Sequence, residues 1–290
     1  MKLVTFDAGQ GPRLGALVDD QIIDLSAASQ GSLPGNMRAL LEMGQSGLDS
    51  VKQALDGSTA GATYTAGAVK LMAPILNPSK VIAIGLNYMD HCREQKIDPP
   101  ELPIIFTKFP TSIIGPGDTI RWDPALTGQV DYEVELGVII GKTARRVSAA
   151  DAYDYVAGYT VCNDVSARDL QFGDGQWVRG KSLDTFCPLG PWLVTKDEVP
   201  DPQKLSIRCT VNDQVLQDSN TAEMIFQIPT LIEFASRAFT LLPGDVLITG
   251  TPDGVGVFRD PKVFLKDGDL VTVEVEGLGQ LANPCREEGR

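Results

Sequence analysis

The 290-residue chain contains one histidine, and it lacks the run of roughly 18 apolar residues that a membrane span requires. Its N-terminus has no apolar segment of the kind found in secretion signals. The five cysteines are scattered and include no Cys-x-x-Cys pair, which argues against a disulfide framework and for a reducing compartment. We therefore expect a protein without membrane association, located in the cytoplasm.

Positive charge is also scarce. The chain has 25 Lys and Arg residues against 38 Asp and Glu residues, which gives a formal net charge of −13. No basic cluster interleaved with aromatic side chains occurs, so nucleic acid is not an expected partner. A protein this acidic needs local positive charge to bind an anionic substrate, and Lys108, Arg168 and Lys181 could supply it.

The only histidine, His91, is a candidate general base. Imidazole is the side chain that titrates near neutral pH without perturbation, so a step that needs such a group must use His91. Glu94 follows three residues later and shares a face with His91 if the segment is helical. A carboxylate that orients a histidine toward water is a common catalytic pair. The competing interpretation is a solvated histidine at a helix start.

Residues 131–136 (Asp-Tyr-Glu-Val-Glu-Leu) run into an apolar stretch and predict a strand. Side chains alternate along a strand, so Asp131, Glu133 and Glu135 would share one face. Clustered carboxylates raise one another's pKa unless a cation neutralises them. A solvated edge strand is the alternative, but the apolar residues that follow favour a strand that enters a core.

A further carboxylate, Asp164, comes directly after a short apolar stretch at 158–163. Functional carboxylates often lie where a strand gives way to a turn. A set of oxygen ligands from Glu133, Glu135 and Asp164 would suit Mg²⁺ or Mn²⁺ better than zinc. Taken alone, Asp164 could equally be a helix N-cap.

The glycine-rich segment 249–256 (Thr-Gly-Thr-Pro-Asp-Gly-Val-Gly) invites comparison with a phosphate-binding loop. It lacks the Gly-Lys-Ser/Thr ending and precedes no helical pattern, so a nucleotide site is not predicted. A turn that brings backbone N–H groups to a substrate carboxylate fits the sequence better.

In this order and spacing, these motifs resemble the fumarylacetoacetate hydrolase family. The resemblance extends from about residue 80 to 281 and includes Gly-Lys-Ser-Leu-Asp-Thr at 180–185. Residues 187–191 (Cys-Pro-Leu-Gly-Pro) and 254–258 (Gly-Val-Gly-Val-Phe) are most similar to the domain-containing protein 2 branch. No acid occurs in 81–86, where true fumarylacetoacetases carry an extra ligand, so fumarylacetoacetate is not the expected substrate.

The resemblance implies a metal-dependent hydrolase that cleaves the C–C bond of a small 2,4-diketo acid of the acylpyruvate type and releases pyruvate. Oxaloacetate decarboxylase or oxaloacetate keto–enol tautomerase is the alternative, and a non-catalytic dicarboxylate-binding protein is the third hypothesis. A homodimer is implied, with one Mg²⁺ or Mn²⁺ per subunit and a small anionic keto acid as substrate.

The resemblance also assigns roles by position. It implies that the metal ligands are Glu133, Glu135 and Asp164. It implies that the catalytic residues are His91, Glu94 and Lys181. Expected substrate contacts are Arg168, Gln171 and Thr251, with Lys108 as an additional cation.

Residues 1–72 are predicted to form a small N-terminal α/β unit, and residues 73–290 the catalytic domain. The first part combines short strands, two segments of helical spacing and a Gly-, Thr- and Ala-rich connector at 57–68. In the second part, Gly-Asp turns precede alternating apolar residues, which predicts few helices, the clearest at 149–156 and 230–239. The fold class is β-rich α+β, and the resemblance implies the family's mixed β-sandwich roll.

Overall fold

The computed structural model describes residues 1–57 and 59–289, so Ser58 and Arg290 lie outside the described residues. The N-terminal part contains strands β1 (Lys2–Asp7), β2 (Pro12–Val18), β3 (Gln21–Asp24), β4 (Thr63–Thr65) and β5 (Lys70–Met72). Its helices are α1 (Leu25–Ala28), α2 (Met37–Glu42) and α3 (Gln45–Asp56).

The segment 57–68, predicted as a bare connector, instead contains β4. This strand pairs antiparallel with β3, with Tyr64 opposite Ile22. The Tyr64 ring lies 5.3 Å from the Phe6 ring. The prediction was wrong because the Thr-Tyr-Thr sequence of β4 has high strand propensity and finds a strand edge to pair with.

The remainder of the chain is mostly strand. Its strands are β6 (Val81–Gly85), β7 (Ile104–Lys108), β8 (Ile113–Ile114), β9 (Ile120–Trp122), β10 (Val130–Asp131), β11 (Val134–Ile140), β12 (Val156–Asn163), β13 (Ser166–Ala167), β14 (Cys187–Thr195), β15 (Ser206–Val211), β16 (Gln214–Asn220), β17 (Val246–Ile248), β18 (Leu270–Val275) and β19 (Gly279–Glu287). Its helices are α4 (Met89–Gln95), α5 (Arg168–Gly173), α6 (Val178–Lys181) and α7 (Ile228–Ala238).

The two helices predicted in this part differ in outcome. Helix α7 confirms the prediction at 230–239, whereas Ala149–Tyr155 forms a 3₁₀ helix instead of an α-helix. Across the part of the chain that the structure describes, every helix is too short or too polar to cross a bilayer.

A large sheet and a smaller one form the framework. The large sheet has the order β4-β3-β2-β1-β14-β12-β11-β17-β6-β7, with β5 added to β1 and β8 to β14. The smaller sheet has the order β16-β15-β18-β19-β9. Buried side chains of both sheets share one hydrophobic cluster, which includes Leu136 of β11 and Val273 of β18. This β-rich α+β arrangement of mixed sheets confirms the predicted fold class.

Strand β11 lies in the centre of the large sheet, between β12 and β17, and every one of its residues is buried. A strand covered on both faces needs apolar side chains on both, which explains its nearly continuous apolar sequence. Gly137 permits the close approach of β12, because a Cβ at that position would lie 2.9 Å from Thr160 Cγ2. A carboxylate on this strand, such as that of Glu135, is therefore enclosed by the core.

The N-terminal helices cover the other face of the large sheet. Leu40 of α2 and Val51 of α3 belong to the same cluster as Ile139 of β11. Strand β1 also joins the large sheet directly, since Leu3 pairs with Leu193 of β14. The division at residue 72 into a small N-terminal domain and a catalytic domain stays a prediction.

Candidate active site

Three carboxylates meet where β11 begins and β12 ends. The strands are antiparallel with Val134 opposite Asn163, so the start of β11 lies beside the end of β12. Oxygen atoms of Glu133, Glu135 and Asp164 lie within 4.8 Å of one another, and all three residues are buried. The structure thus brings together the three carboxylates singled out in the sequence. We call them the carboxylate cluster.

Buried cations pair with two members of the carboxylate cluster. Lys181 Nζ lies 2.8 Å from both Asp164 Oδ2 and Glu133 Oε2. Lys108 Nζ lies 2.5 Å from Asp164 Oδ1, and Arg168 Nη1 lies 2.7 Å from Glu133 Oε1. Burial would raise the pKa of Glu133, but the charges of Lys181 and Arg168 lower it to about 2. The carboxylate of Glu133 is therefore held ionised.

Glu135 is the member of the carboxylate cluster that forms no ion pair among the described residues, although the charge of Lys181 acts on it. It accepts a hydrogen bond from Gly250 N at 2.6 Å. Burial and the charges of Asp164 and Glu133 raise the pKa of Glu135 well above its ordinary range. The three converging carboxyl groups form an all-oxygen donor set, which fits a hard divalent cation such as Mg²⁺ or Mn²⁺.

Asp131 does not join the carboxylate cluster. Its carboxylate accepts hydrogen bonds from Gly256 N at 2.8 Å and Val257 N at 3.0 Å. It also accepts one from Arg168 Nε at 2.8 Å. Asp131 and Glu133 pair with the same guanidinium, that of Arg168, although the strand is interrupted between β10 and β11. Asp131 instead ties Arg168 to the segment 249–258.

Helix α4 places His91 between two of its own side chains. His91 Nδ1 lies 3.1 Å from Glu94 Oε2, and Nε2 lies 2.8 Å from the Gln95 side-chain nitrogen. The other oxygen of Glu94 accepts a hydrogen bond from Gly254 N at 2.9 Å. His91 is only 6% exposed, which contradicts the interpretation as a solvated histidine. The predicted pairing of His91 with Glu94 is present in the structure.

Asn87 and Asp90, which the sequence analysis missed, position this helix. The Asn87 side chain donates to Thr249 O at 2.8 Å and accepts from Phe226 N at 2.8 Å. Asp90 accepts a hydrogen bond from the hydroxyl of Ser219 on β16. These contacts join residues far apart in sequence, so spacing could not have revealed them.

A small pocket of about 100 Å³ opens between α4 and the carboxylate cluster. Its polar lining residues are His91, Gln95, Glu133, Arg168, Gln171, Lys181 and Thr251. Its apolar walls include Ile84, Leu86, Phe106, Phe172, Trp177 and Phe258. A second cavity of about 170 Å³ beside α3 contains none of these groups.

The expected substrate contacts separate into two groups. Arg168, Gln171 and Thr251 line the pocket, and Arg168 Nη1 donates to Gln171 Oε1 at 2.9 Å. Lys108 does not line it, because its amine is fully buried against Asp164 and the Val165 carbonyl oxygen. We therefore correct the assignment of Lys108 from a substrate contact to a support for Asp164.

Gln217 of β16 is another residue that the sequence analysis missed. It is buried and accepts a hydrogen bond from Val134 N at 3.0 Å. Its side-chain nitrogen donates to Thr251 Oγ1 at 2.8 Å and Pro252 O at 3.0 Å. Gln217 therefore fixes the loop at Thr251 and Pro252, which we call the pocket loop, against the start of β11.

Comparison with known proteins identifies the family. The family model described as "Fumarylacetoacetate (FAA) hydrolase C-terminal" matches residues 80–286. The chain belongs to the fumarylacetoacetate hydrolase family, as the sequence motifs predicted. A relative from Xenopus laevis named "Oxaloacetate tautomerase fahd2, mitochondrial" is 51% identical over 290 residues, which cover 98% of this chain and 90% of the relative.

Solved structures share the fold over the whole chain. A fumarylacetoacetate hydrolase from psychrophilic Exiguobacterium antarcticum matches with a TM-score of 0.87 and 37% identity, covering 99% of this chain and 100% of that one. A maleylpyruvate hydrolase from Sphingobium sp. SYK-6, in complex with a manganese(II) ion and pyruvate, matches with a TM-score of 0.80 and 32% identity, covering 100% of each chain.

The expectation of a cytoplasmic protein is contradicted by these comparisons, because the Xenopus laevis relative is named as mitochondrial. All five cysteines are buried and free, which agrees with reducing conditions. Cysteine usage reports redox conditions and does not distinguish one reducing compartment from another. Targeting segments can also be removed from a mature chain, so an N-terminus without a signal does not define location.

Proposed function

We propose that this protein is a divalent-cation-dependent oxaloacetate keto–enol tautomerase. The observation that carries the proposal is one small pocket in which His91, Arg168 and Lys181 adjoin the carboxylate cluster. Similarity across nearly the whole chain to a relative named oxaloacetate tautomerase favours this reaction over the acylpyruvate hydrolysis that we expected first. Both reactions begin from a bound 2-keto acid.

The pocket is suited to a small dianion. Arg168 Nη2 is buried and has no hydrogen-bond partner among the described residues, so it can donate to a substrate carboxylate. Gln171 and Thr251 offer further polar atoms in the same pocket. A buried donor without a partner costs roughly 1–3 kcal/mol, and a bound carboxylate would relieve that cost.

Glu133, Glu135 and Asp164 would hold Mg²⁺ or Mn²⁺, and the bound cation would supply polarisation of a substrate carbonyl. His91 carries out the proton transfer. With Glu94 accepting from Nδ1–H, the electron pair of Nε2 takes a proton from C3 of the keto form, and the C3–H electrons form the C2=C3 double bond. The keto oxygen at C2 receives one proton, so the enol contains the same atoms as the keto form.

Lys181 lies where negative charge develops during this transfer. Two of its three N–H donors bind Glu133 and Asp164, so one donor remains for a substrate oxygen. Its charge also lies 5.3 Å from the centre of the Phe106 ring, which helps to hold the amine at the pocket wall. Such a donor typically lowers the activation barrier by about 3 kcal/mol.

The first experiment follows the loss of enol absorbance of oxaloacetate with EDTA-treated protein, with and without added Mg²⁺ or Mn²⁺. We expect cation-dependent acceleration that falls by roughly 10²–10⁴-fold in His91→Ala, the usual contribution of a general base. Pyruvate release from acetylpyruvate is measured on the same samples. Cation-dependent pyruvate release without any acceleration of enol loss would overturn the proposal.

Hydrolysis of an acylpyruvate is the second candidate, favoured by the His91–Glu94 pair and by the maleylpyruvate hydrolase fold. Water activated at Nε2 would add to C4 and the C3–C4 bond would break. C3 would then take up a proton, which gives pyruvate and a carboxylic acid.

We also retain the homodimer as a proposal. Light scattering after size-exclusion chromatography tests it against the 31.1 kDa mass of one chain.

A further inference from the structure

Both ring nitrogens of His91 are engaged within α4. Nδ1 faces the Glu94 carboxylate, and Nε2 faces the side-chain nitrogen of Gln95 at 2.8 Å. An amide nitrogen donates hydrogen bonds and does not accept them. Nε2 must therefore carry the electron pair and Nδ1 the proton, which is the tautomer that a base acting through Nε2 requires.

The Gln95 side-chain nitrogen lies next to Nε2, where the substrate must place the proton that His91 removes. It lies four residues after His91, so the two side chains share one face of α4. Gln95 also lines the pocket. Because Nε2 has one electron pair, the amide and a water molecule compete for it.

We propose that Gln95 is a positioning residue that keeps water off His91 Nε2 and thereby favours proton transfer over hydrolysis. The inference rests on the proposed function. For proton transfer, the bound substrate need only displace the amide. Hydrolysis requires a water to remain at Nε2 while substrate fills a pocket of about 100 Å³. Gln95 opposes that second arrangement directly.

The single histidine allows the contact to be tested without measuring activity. Protein labelled with ¹⁵N-histidine gives two ring-nitrogen signals from one residue. We expect a protonated Nδ1 and an unprotonated, hydrogen-bonded Nε2 in the unaltered protein. Gln95→Met keeps the side-chain length but removes the donor, so the Nε2 signal should move while Nδ1 stays protonated. Identical signals in the two proteins, or a protonated Nε2 in the unaltered one, would overturn the inference.

The second readout is the ratio of pyruvate release from acetylpyruvate to oxaloacetate tautomerisation, measured with Mg²⁺ present. We expect the ratio to rise roughly 2- to 10-fold in Gln95→Met, the factor that corresponds to one hydrogen bond. Gln95→Asn should behave similarly, because the shorter amide cannot reach Nε2. Lys96→Met is the matched control, since Lys96 is exposed at the same helix end, and its ratio should not change.

The two readouts separate this inference from the proposed function. An unchanged or lower ratio in Gln95→Met, with tautomerisation present, would refute the inference and leave the proposed function standing. Absence of tautomerisation in the unaltered protein would refute the proposed function together with the selectivity assigned to Gln95. The ¹⁵N signals would still decide whether Gln95 holds Nε2.

Discussion

The two halves of the candidate active site are built in different ways. The carboxylate cluster lies where the central strand β11 begins and its neighbour β12 ends, and its three side chains are buried. The proposed catalytic base, His91, lies on α4, a seven-residue helix held by side-chain contacts that include those of Asp90 and Glu94. The carboxylate cluster is part of the core, and buried cations compensate its charge. Helix α4, in contrast, is held by individual hydrogen bonds. Substitutions should therefore affect them differently.

The largest effect on stability should come from Lys108→Met. It removes a fully buried cation and leaves Asp164 Oδ1 without its partner, so we expect a loss of about 3–5 kcal/mol in the free energy of unfolding. The matched control is Lys70→Met, which breaks an exposed ion pair with Asp118 and should cost about 1 kcal/mol or less. Urea denaturation measures both. If both variants lose the same free energy of unfolding, Lys108 does not compensate the charge of Asp164.

Glu135→Gln should separate cation binding from folding. A divalent cation at 100 times its dissociation constant stabilises a folded protein by about 2.7 kcal/mol, and this gain should disappear in the variant. The cation-free variant should be no less stable than the unaltered protein, because burial disfavours the charged form of Glu135 and Glu135 forms no ion pair among the described residues. Thermal melts with and without Mn²⁺ test this. A full cation-induced shift in the variant would remove Glu135 from the proposed ligands.

Ser219→Ala, which removes the hydroxyl that binds Asp90 at the start of α4, should have a modest effect on stability. We expect a loss of about 0.5–1.5 kcal/mol, the usual contribution of one hydrogen bond. Tautomerisation should fall more than stability alone explains, because α4 carries His91. Steady-state rates below the melting transition check this. Unchanged rates would show that α4 is fixed by its other contacts.

The carboxylate cluster was predictable because its geometry is local. Glu133 and Glu135 flank the first residue of an apolar strand, and a carboxylate after the neighbouring strand meets them if the strands are antiparallel. The pairing of His91 with Glu94 was likewise a consequence of helical spacing. Such periodic relations can be read directly from the residues. Family resemblance then supplied the connection between the two halves.

The rest depended on contacts that no local pattern encodes. The strand is interrupted between Asp131 and Val134, where Glu133 N donates a hydrogen bond to the Asn163 side chain at 3.0 Å. Gln217 reaches the pocket loop from a strand of the other sheet. Lys108 is buried against Asp164 and away from the pocket, and this placement is visible only in the folded structure. These positions are decided by tertiary packing and not by propensity.

The pairing of β1 with β14 has a consequence for the time course of folding. Leu3 pairs with Leu193, so β1 must wait while the ribosome makes about 190 further residues. At about 5–20 residues per second, that delay is roughly 10–40 s. Until then the edge of β1 that later meets β14 is open, and unpaired strand edges promote aggregation. A nascent chain of this protein is therefore most vulnerable before β14 emerges, and late sheet closure should limit its folding rate.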